Sequence, residues 1–195
     1  MKKQHILIIP GLGDDRWALK FQTRKWEVKY NIVPHVWVFG WQATNSTFEK
    51  QLRITQEEVN SLVAKYGKIS LLGTSAGGSA VINLYSNNKD KIEKVICVCA
   101  RLKNANVTQR PYLPKKKLDL FIESIKTCEK NIARLTSNDK KKIMTIRPIY
   151  DDVVPVRTMS IDRATNYKIF GLQHILNIYL AVTWRSKIIA DFIKR

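Results

Sequence analysis

Short apolar runs alternate with longer amphipathic stretches along this chain. Residues 5–10 form the first run, which ends at Gly11-Leu12-Gly13. Asp14 and Asp15 then offer a cap and first-turn acids, predicting a helix that continues to about residue 26. Residues 33–39, rich in β-branched and aromatic side chains, predict a second strand that stops at Gly40. Ser46 and Glu49 have the spacing of a capping box. Phe48, Leu52, Val59, Leu62, Val63 and Tyr66 follow at helical intervals, and Gly67 supplies the stop. Residues 68–73 read as a strand, 77 to about 85 as a helix, and 95–100 as a fourth strand. The stretch 102–114 is polar, carries two prolines and reads as loop. Leu118, Phe121, Ile122, Ile125, Ile132 and Leu135 mark another amphipathic helix. Residues 143–149 and 167–170 complete the strands. A last helix from about His174 is expected to carry Ile175, Tyr179, Val182, Ile189 and Ile193 toward the core.

Strands spaced by helices imply βαβ units. The expected fold is a three-layer αβα sandwich with a mostly parallel sheet of about six strands, its chemistry at the carboxyl ends of those strands. With 195 residues, no internal repeat and no linker, the chain reads as one domain over residues 1–195. A 45% hydrophobic, 26% charged composition excludes a disordered or fibrous chain. Three cysteines cannot build a disulfide framework and fit a reducing compartment. The apolar run Ile6 to Ile9 is too short for a signal peptide, and no stretch approaches the roughly 18 apolar residues of a spanning helix. The expected location is therefore the cytoplasm.

Charge is the one outlier, at 34 basic against 16 acidic residues, or +18. Such an excess attracts polyanions. The basic residues are nonetheless spread along the chain, with only 115–117 and 140–142 as short runs. No zinc-finger, RNP or basic-zipper pattern accompanies them. The expectation is a solvated basic surface, with an anionic substrate or surface left open as a partner and oligomeric state undetermined.

Gly73-Thr74-Ser75-Ala76-Gly77 matches G-x-S-x-G at the end of the third strand. A turn that tight exposes the serine hydroxyl, and glycine on either side lets strand and helix approach. Gly78, Ser79 and Ala80 are also small, as close helix-on-sheet packing requires.

On these residues the chain resembles the α/β-hydrolase superfamily, over nearly its whole length. The resemblance implies a triad in the order nucleophile, acid, histidine. Asp151-Asp152-Val153-Val154-Pro155 is similar to the family's D-x-x-V-P acid turn. Counting back from Pro155 selects Asp151, with the adjacent Asp152 as the alternative. His174, one strand later, stands where the family places its base. Of the other histidines, His5 reads as surface and His35 as a satisfied core residue. In the roles so implied, Ser75 is the nucleophile, His174 its base, and Asp151 the group that orients the imidazole.

Backbone N–H groups of Ala76 and Leu12 are the implied oxyanion hole. The Pro10–Gly13 loop is similar to the family's His-Gly-x motif, with Pro10 in the histidine's place. Trp17 and Trp41 are candidates for the substrate mouth, whereas Trp26 and Trp184 are expected in helix packing. Cys97, Cys99 and Cys128 read as buried apolar residues, so no metal and no cofactor are expected. Asn45-Ser46-Thr47 and Asn106-Val107-Thr108 match glycosylation acceptors but carry little weight without a secretory signal.

With no room for a large lid domain, the implied protein is a small serine hydrolase of carboxylic esters or related acyl bonds. The competing expectation is a non-catalytic protein of this fold that binds an anionic partner through its basic surface.

Overall fold

The computed structural model describes residues 3–43, 45–105 and 115–195, with residues 115–117 as backbone alone. Most of the expected 102–114 loop, the 106–108 acceptor pattern and the side chains of the 115–117 basic run lie outside the described residues.

Six strands form one sheet: β1 (Gln4–Ile9), β2 (Ile32–Val36), β3 (Ile69–Thr74), β4 (Ile92–Val98), β5 (Ile143–Pro148) and β6 (Thr165–Ile169). Their order is β2-β1-β3-β4-β5-β6, and every neighbouring pair is parallel. Alternate residues of each strand point to opposite faces. Leu7, Ile9, Leu71, Val95 and Cys97 join one core, while Ile6, Ile8, Leu72, Ile96 and Val98 join the other. The central strands are apolar on both sides, as strands covered by two helical layers must be.

The first core lies under α3 (Phe48–Tyr66), α4 (Gly77–Asn87) and α5 (Lys115–Arg134). The second lies under α1 (Arg16–Thr23), α2 (Trp26–Tyr30), α7 (His174–Val182) and α8 (Ser186–Lys194). A short α6 (Ser137–Lys141) precedes β5. Between β4 and β5 the described residues hold only α5 and α6, with no cap domain among them. The chain leaves β1 to one side, for β2, and returns to its other side, for β3. That reversal opens a crevice at the carboxyl ends of β1 and β3.

Three local expectations need correction. The helix expected over 14–26 is two helices, because the chain turns at Arg24 and Lys25 so that Trp26 can bury its ring and donate Nε1–H to Val182 O (3.0 Å). The cap of α3 is Thr47, not Ser46: its hydroxyl accepts from Lys50 N (3.2 Å), which makes the buried Phe48 the first helical residue. The final helix is also two helices, broken after Val182. Val182, Ile189 and Ile193 are buried as expected, but Ile175 is 71% exposed and Tyr179 is exposed too. Trp184, expected in helix packing, stands in the break and is 80% exposed.

Candidate active site

Ser75 follows the last residue of β3 and precedes α4, and its φ is +51°, the left-handed region that a side-chain-bearing residue seldom occupies. Two bonds fix the turn: Ser75 N–H donates to Val98 O (2.9 Å) and Gly78 N–H to Ser75 O (3.1 Å). The flanking glycines are steric necessities. A Cβ on Gly73 would run into the Gly77 carbonyl, and one on Gly77 into the carbonyls of Ile9 and Pro10. The sequence pattern thus translates into a strand and a helix in backbone contact, with the serine at their junction.

Opposite this turn runs the loop after β1. Gly11 lies against the Ser75 turn, since a Cβ built there would come within 2.9 Å of Ser75 Cβ. Leu12 is half-buried against the first core, and Ala76, which caps α4, is fully buried. Trp41, expected as a wall of the mouth, is instead fully buried. Its Nε1–H donates to Pro10 O (3.3 Å), and its ring meets Phe39 at 4.3 Å and the edge of Phe121 at 6.1 Å. It braces the loop from below. Trp17 is 68% exposed on α1, with Arg16 and Lys20 over its ring.

The loop after β5 holds both aspartates, and they do different things. Asp151 is buried and its carboxylate faces the imidazole: His174 Nδ1 lies 2.8 Å from Oδ2 and 3.0 Å from Oδ1. Oδ1 also accepts the backbone N–H groups of Val153 (3.0 Å) and Val154 (2.8 Å). Burial pushes the Asp151 carboxyl up, but the hydrogen bonds from His174, Val154 and Val153 outweigh it and hold the pKa below its ordinary value. Asp152 turns the other way and accepts the backbone N–H of His174 through Oδ1 (2.7 Å), fixing the first residue of α7.

His174 Nε2 lies 2.9 Å from Ser75 Oγ. An ionised Asp151 can only accept, so the imidazole proton sits on Nδ1 and the Nε2 lone pair faces the serine O–H. Residues separated by 99 positions in sequence (75 and 174) are thereby joined in one hydrogen-bonded series, carboxylate to imidazole to hydroxyl. Such a series can draw the proton from the hydroxyl as Oγ attacks an electrophile.

Asn177 escaped the sequence reading. It is fully buried one turn along α7, and its Nδ2 donates to Tyr150 O (3.2 Å) and lies 3.4 Å from Asp151 Oδ2. The i, i+3 spacing from His174 was the available signal. Holding His174, Asn177, Ala181 and Val182 on its buried side, α7 has to turn Ile175, Leu176 and Tyr179 outward. This is the physical reason the expected core face of the last helix failed.

The remaining titratable candidates are three cysteines and two histidines. Cys97, Cys99 and Cys128 are buried thiols, each pushed up in pKa by burial. His5, near the start of β1, and His35, in the second half of β2, are half-buried. His5 Nδ1 lies 3.0 Å from His35 Nε2, and the His5 ring stacks on Tyr66 at 3.7 Å. His35, expected as a core residue, sits at the edge strand and is only partly covered because no strand among the described residues pairs beyond β2.

No family model matches the chain, and no curated protein matches it in sequence. Solved structures do match in fold. Over 99% of its length the chain is similar to an esterase of Pyrobaculum calidifontis, of which it covers 76% (TM-score 0.71, 15% identity). Over 100% it is similar to Est1E of Butyrivibrio proteoclasticus, solved with ferulic acid bound (TM-score 0.69, 14% identity, 91% of that chain). A monoacylglycerol lipase of Paleococcus ferrophilus matches over 99% of this chain and 96% of its own (TM-score 0.66, 13% identity). The architecture is the α/β-hydrolase fold, with no large cap among the described residues. Its structural neighbours include esterases and lipases.

Proposed function

We propose that residues 1–195 form a single serine hydrolase domain that cleaves carboxylic esters through Ser75, His174 and Asp151. The observation that carries this reading is the unbroken series from Asp151 Oδ2 to His174 Nδ1 (2.8 Å) and from His174 Nε2 to Ser75 Oγ (2.9 Å). His174 takes the Ser75 proton as Oγ attacks the acyl carbon, and Asp151 holds the tautomer and stabilises the imidazolium. Collapse of the tetrahedral intermediate returns that proton to the departing alcohol and leaves an acyl-serine. Water, deprotonated by the same imidazole, then releases the acid and restores the serine.

The oxyanion needs preorganised donors. Ala76 N–H stands at the positive end of α4. Leu12 N–H belongs to the loop that Gly11 seats against Ser75. Ester and lipid-ester substrates are the chemistry named for the neighbouring folds. The chemistry proposed draws on no metal or cofactor.

A fluorophosphonate probe tests the reading. It should label the wild type at Ser75 and fail on Ser75→Ala, and a series of p-nitrophenyl esters should report the acyl preference. An unlabelled wild type that turns over no ester would leave the binding-protein reading in its place.

A further inference from the structure

The outward side of α7 and the stripe beside it on α1 are both apolar and both open to solvent. Residues 170–185 contain one charged residue, Arg185, while Phe170, Leu172, Ile175, Leu176, Tyr179 and Trp184 are all exposed. On α1, Trp17 and Phe21 stand one turn apart and Phe21 is 62% exposed. Arg16 and Lys20 form the adjacent row of the same helix, and Arg24 caps its end. Arg16 and Lys20 lie 5.0 and 5.4 Å from the Trp17 ring centre, and Arg24 lies 3.6 Å from that of Phe21. Between the two helices is a groove of about 190 Å³, lined among others by Phe21, Arg24, Lys25, Lys29 and Tyr179. No described residue lining it is acidic.

Across residues 16–30 there are five cations (Arg16, Lys20, Arg24, Lys25, Lys29) and one carboxylate, Glu27, which is already bonded by Lys3 Nζ at 2.6 Å. Exposed aromatic and aliphatic side chains rimmed by unneutralised cations do not suit a solvated face. They suit an interface whose interior is apolar and whose surface is anionic. The groove is smaller than the 300–1,000 Å³ typical of drug-sized ligand sites. It is of the size to receive a headgroup phosphate among its cations.

We propose that α1 and α7 form a docking face for anionic phospholipid bilayers. Aromatic rings and the α7 aliphatics enter the interface, while Arg16, Lys20, Arg24, Lys25 and Lys29 meet the headgroup phosphates. The two helices leave the active-site rim itself: α1 follows the loop of Gly11 and Leu12, and α7 begins at His174. A bilayer on this face lies beside Ser75. Only the consequence that it presents lipid esters to the serine rests on the hydrolase reading.

Vesicle sedimentation tests the surface independently of turnover, with the Ser75→Ala protein as the binding reference. That protein should pellet with phosphatidylcholine vesicles containing phosphatidylglycerol and stay in solution with phosphatidylcholine alone. Binding should disappear at about 1 M salt, where the Debye length is about 3 Å. Lys20→Gln/Arg24→Gln/Lys29→Gln should lower the partition coefficient roughly fivefold per cation removed. Phe21→Ser and Leu176→Ser should each lower it about tenfold. Lys130→Gln/Lys140→Gln/Lys141→Gln, on the opposite side of the sheet, should leave it within about twofold of the reference. Unchanged melting transitions identify the variants that remain folded.

The proposal is overturned if the anionic vesicles pellet no protein, or if the two charge triples lose affinity equally. It is also overturned if Phe21→Ser and Leu176→Ser bind as the reference does, an outcome that would indicate a soluble polyanion such as duplex DNA. Wild-type protein that is labelled at Ser75 but pellets with no vesicle ends the docking face and leaves the hydrolase. Vesicle binding without labelling does the reverse.

Discussion

Replacing Asp151 by asparagine separates the two neighbouring carboxylates by function. In the native loop, Oδ1 of Asp151 is held by the amides of Val153 and Val154 at 3.0 and 2.8 Å. An asparagine there keeps its carbonyl oxygen on those amides and must turn its NH₂ group toward His174 Nδ1. The imidazole then accepts on Nδ1 and carries its proton on Nε2, the atom 2.9 Å from Ser75 Oγ. In that tautomer it cannot take the serine proton. The expected loss is about 10⁴-fold in kcat, or about 5 kcal/mol of transition-state stabilisation, with KM little changed. Asp152→Asn retains an acceptor for the His174 N–H, because asparagine and aspartate cap helices about equally well, so kcat should stay within about threefold. The assay is hydrolysis of p-nitrophenyl butyrate by both variants, with melting curves to establish that each is folded. An Asp151→Asn protein within tenfold of wild type, or a loss confined to Asp152→Asn, refutes the reasoning.

Four further substitutions have expected outcomes. Gly77→Ala drives a methyl group into the carbonyls of Ile9 and Pro10 and should cost about 3 kcal/mol in chemical denaturation. Gly13→Ala, whose Cβ would meet nothing closer than Asp15 N at 4.0 Å, should stay within about 0.5 kcal/mol. Trp41→Phe leaves the Pro10 carbonyl without its indole donor and opens space under the loop. It should cost about 2–3 kcal/mol and, by loosening the loop beside Ser75, about tenfold in kcat/KM. His35 is depressed below its ordinary pKa by burial and by the neighbouring His5 and Lys65. The unfolded chain therefore binds more protons, so this contribution to stability is complete above about pH 6.5 and is lost as pH falls through the depressed folded value. Denaturation midpoints measured from pH 8 to pH 5 should fall further in the wild type than in His35→Phe, and equal slopes would count against the histidine pair.

Much of the fold was written in local pattern. Alternating apolar runs and amphipathic stretches are enough for a layered α/β sheet, because a strand buried on both faces and a helix buried on one leave different periodicities. Gly73, Ser75 and Gly77 were legible for the same reason, as the turn they make is built within five residues and sterics admits few alternatives. Other features depend on distant contacts, and there the sequence was silent or misleading. Counting back from Pro155 selected Asp151, the carboxylate that faces the imidazole, but Asn177 became visible only once α7 was set beside Asp151. Trp41 could be placed at a strand end by pattern, but only the packing of Phe39 and Phe121 around it decided that it lies beneath the loop. The exposure of Ile175 and Tyr179 belongs to this second kind as well. A helix has one inward face, and on α7 the polar groups that hold Asp151 and Ser75 occupy it, leaving the apolar side chains to the surface.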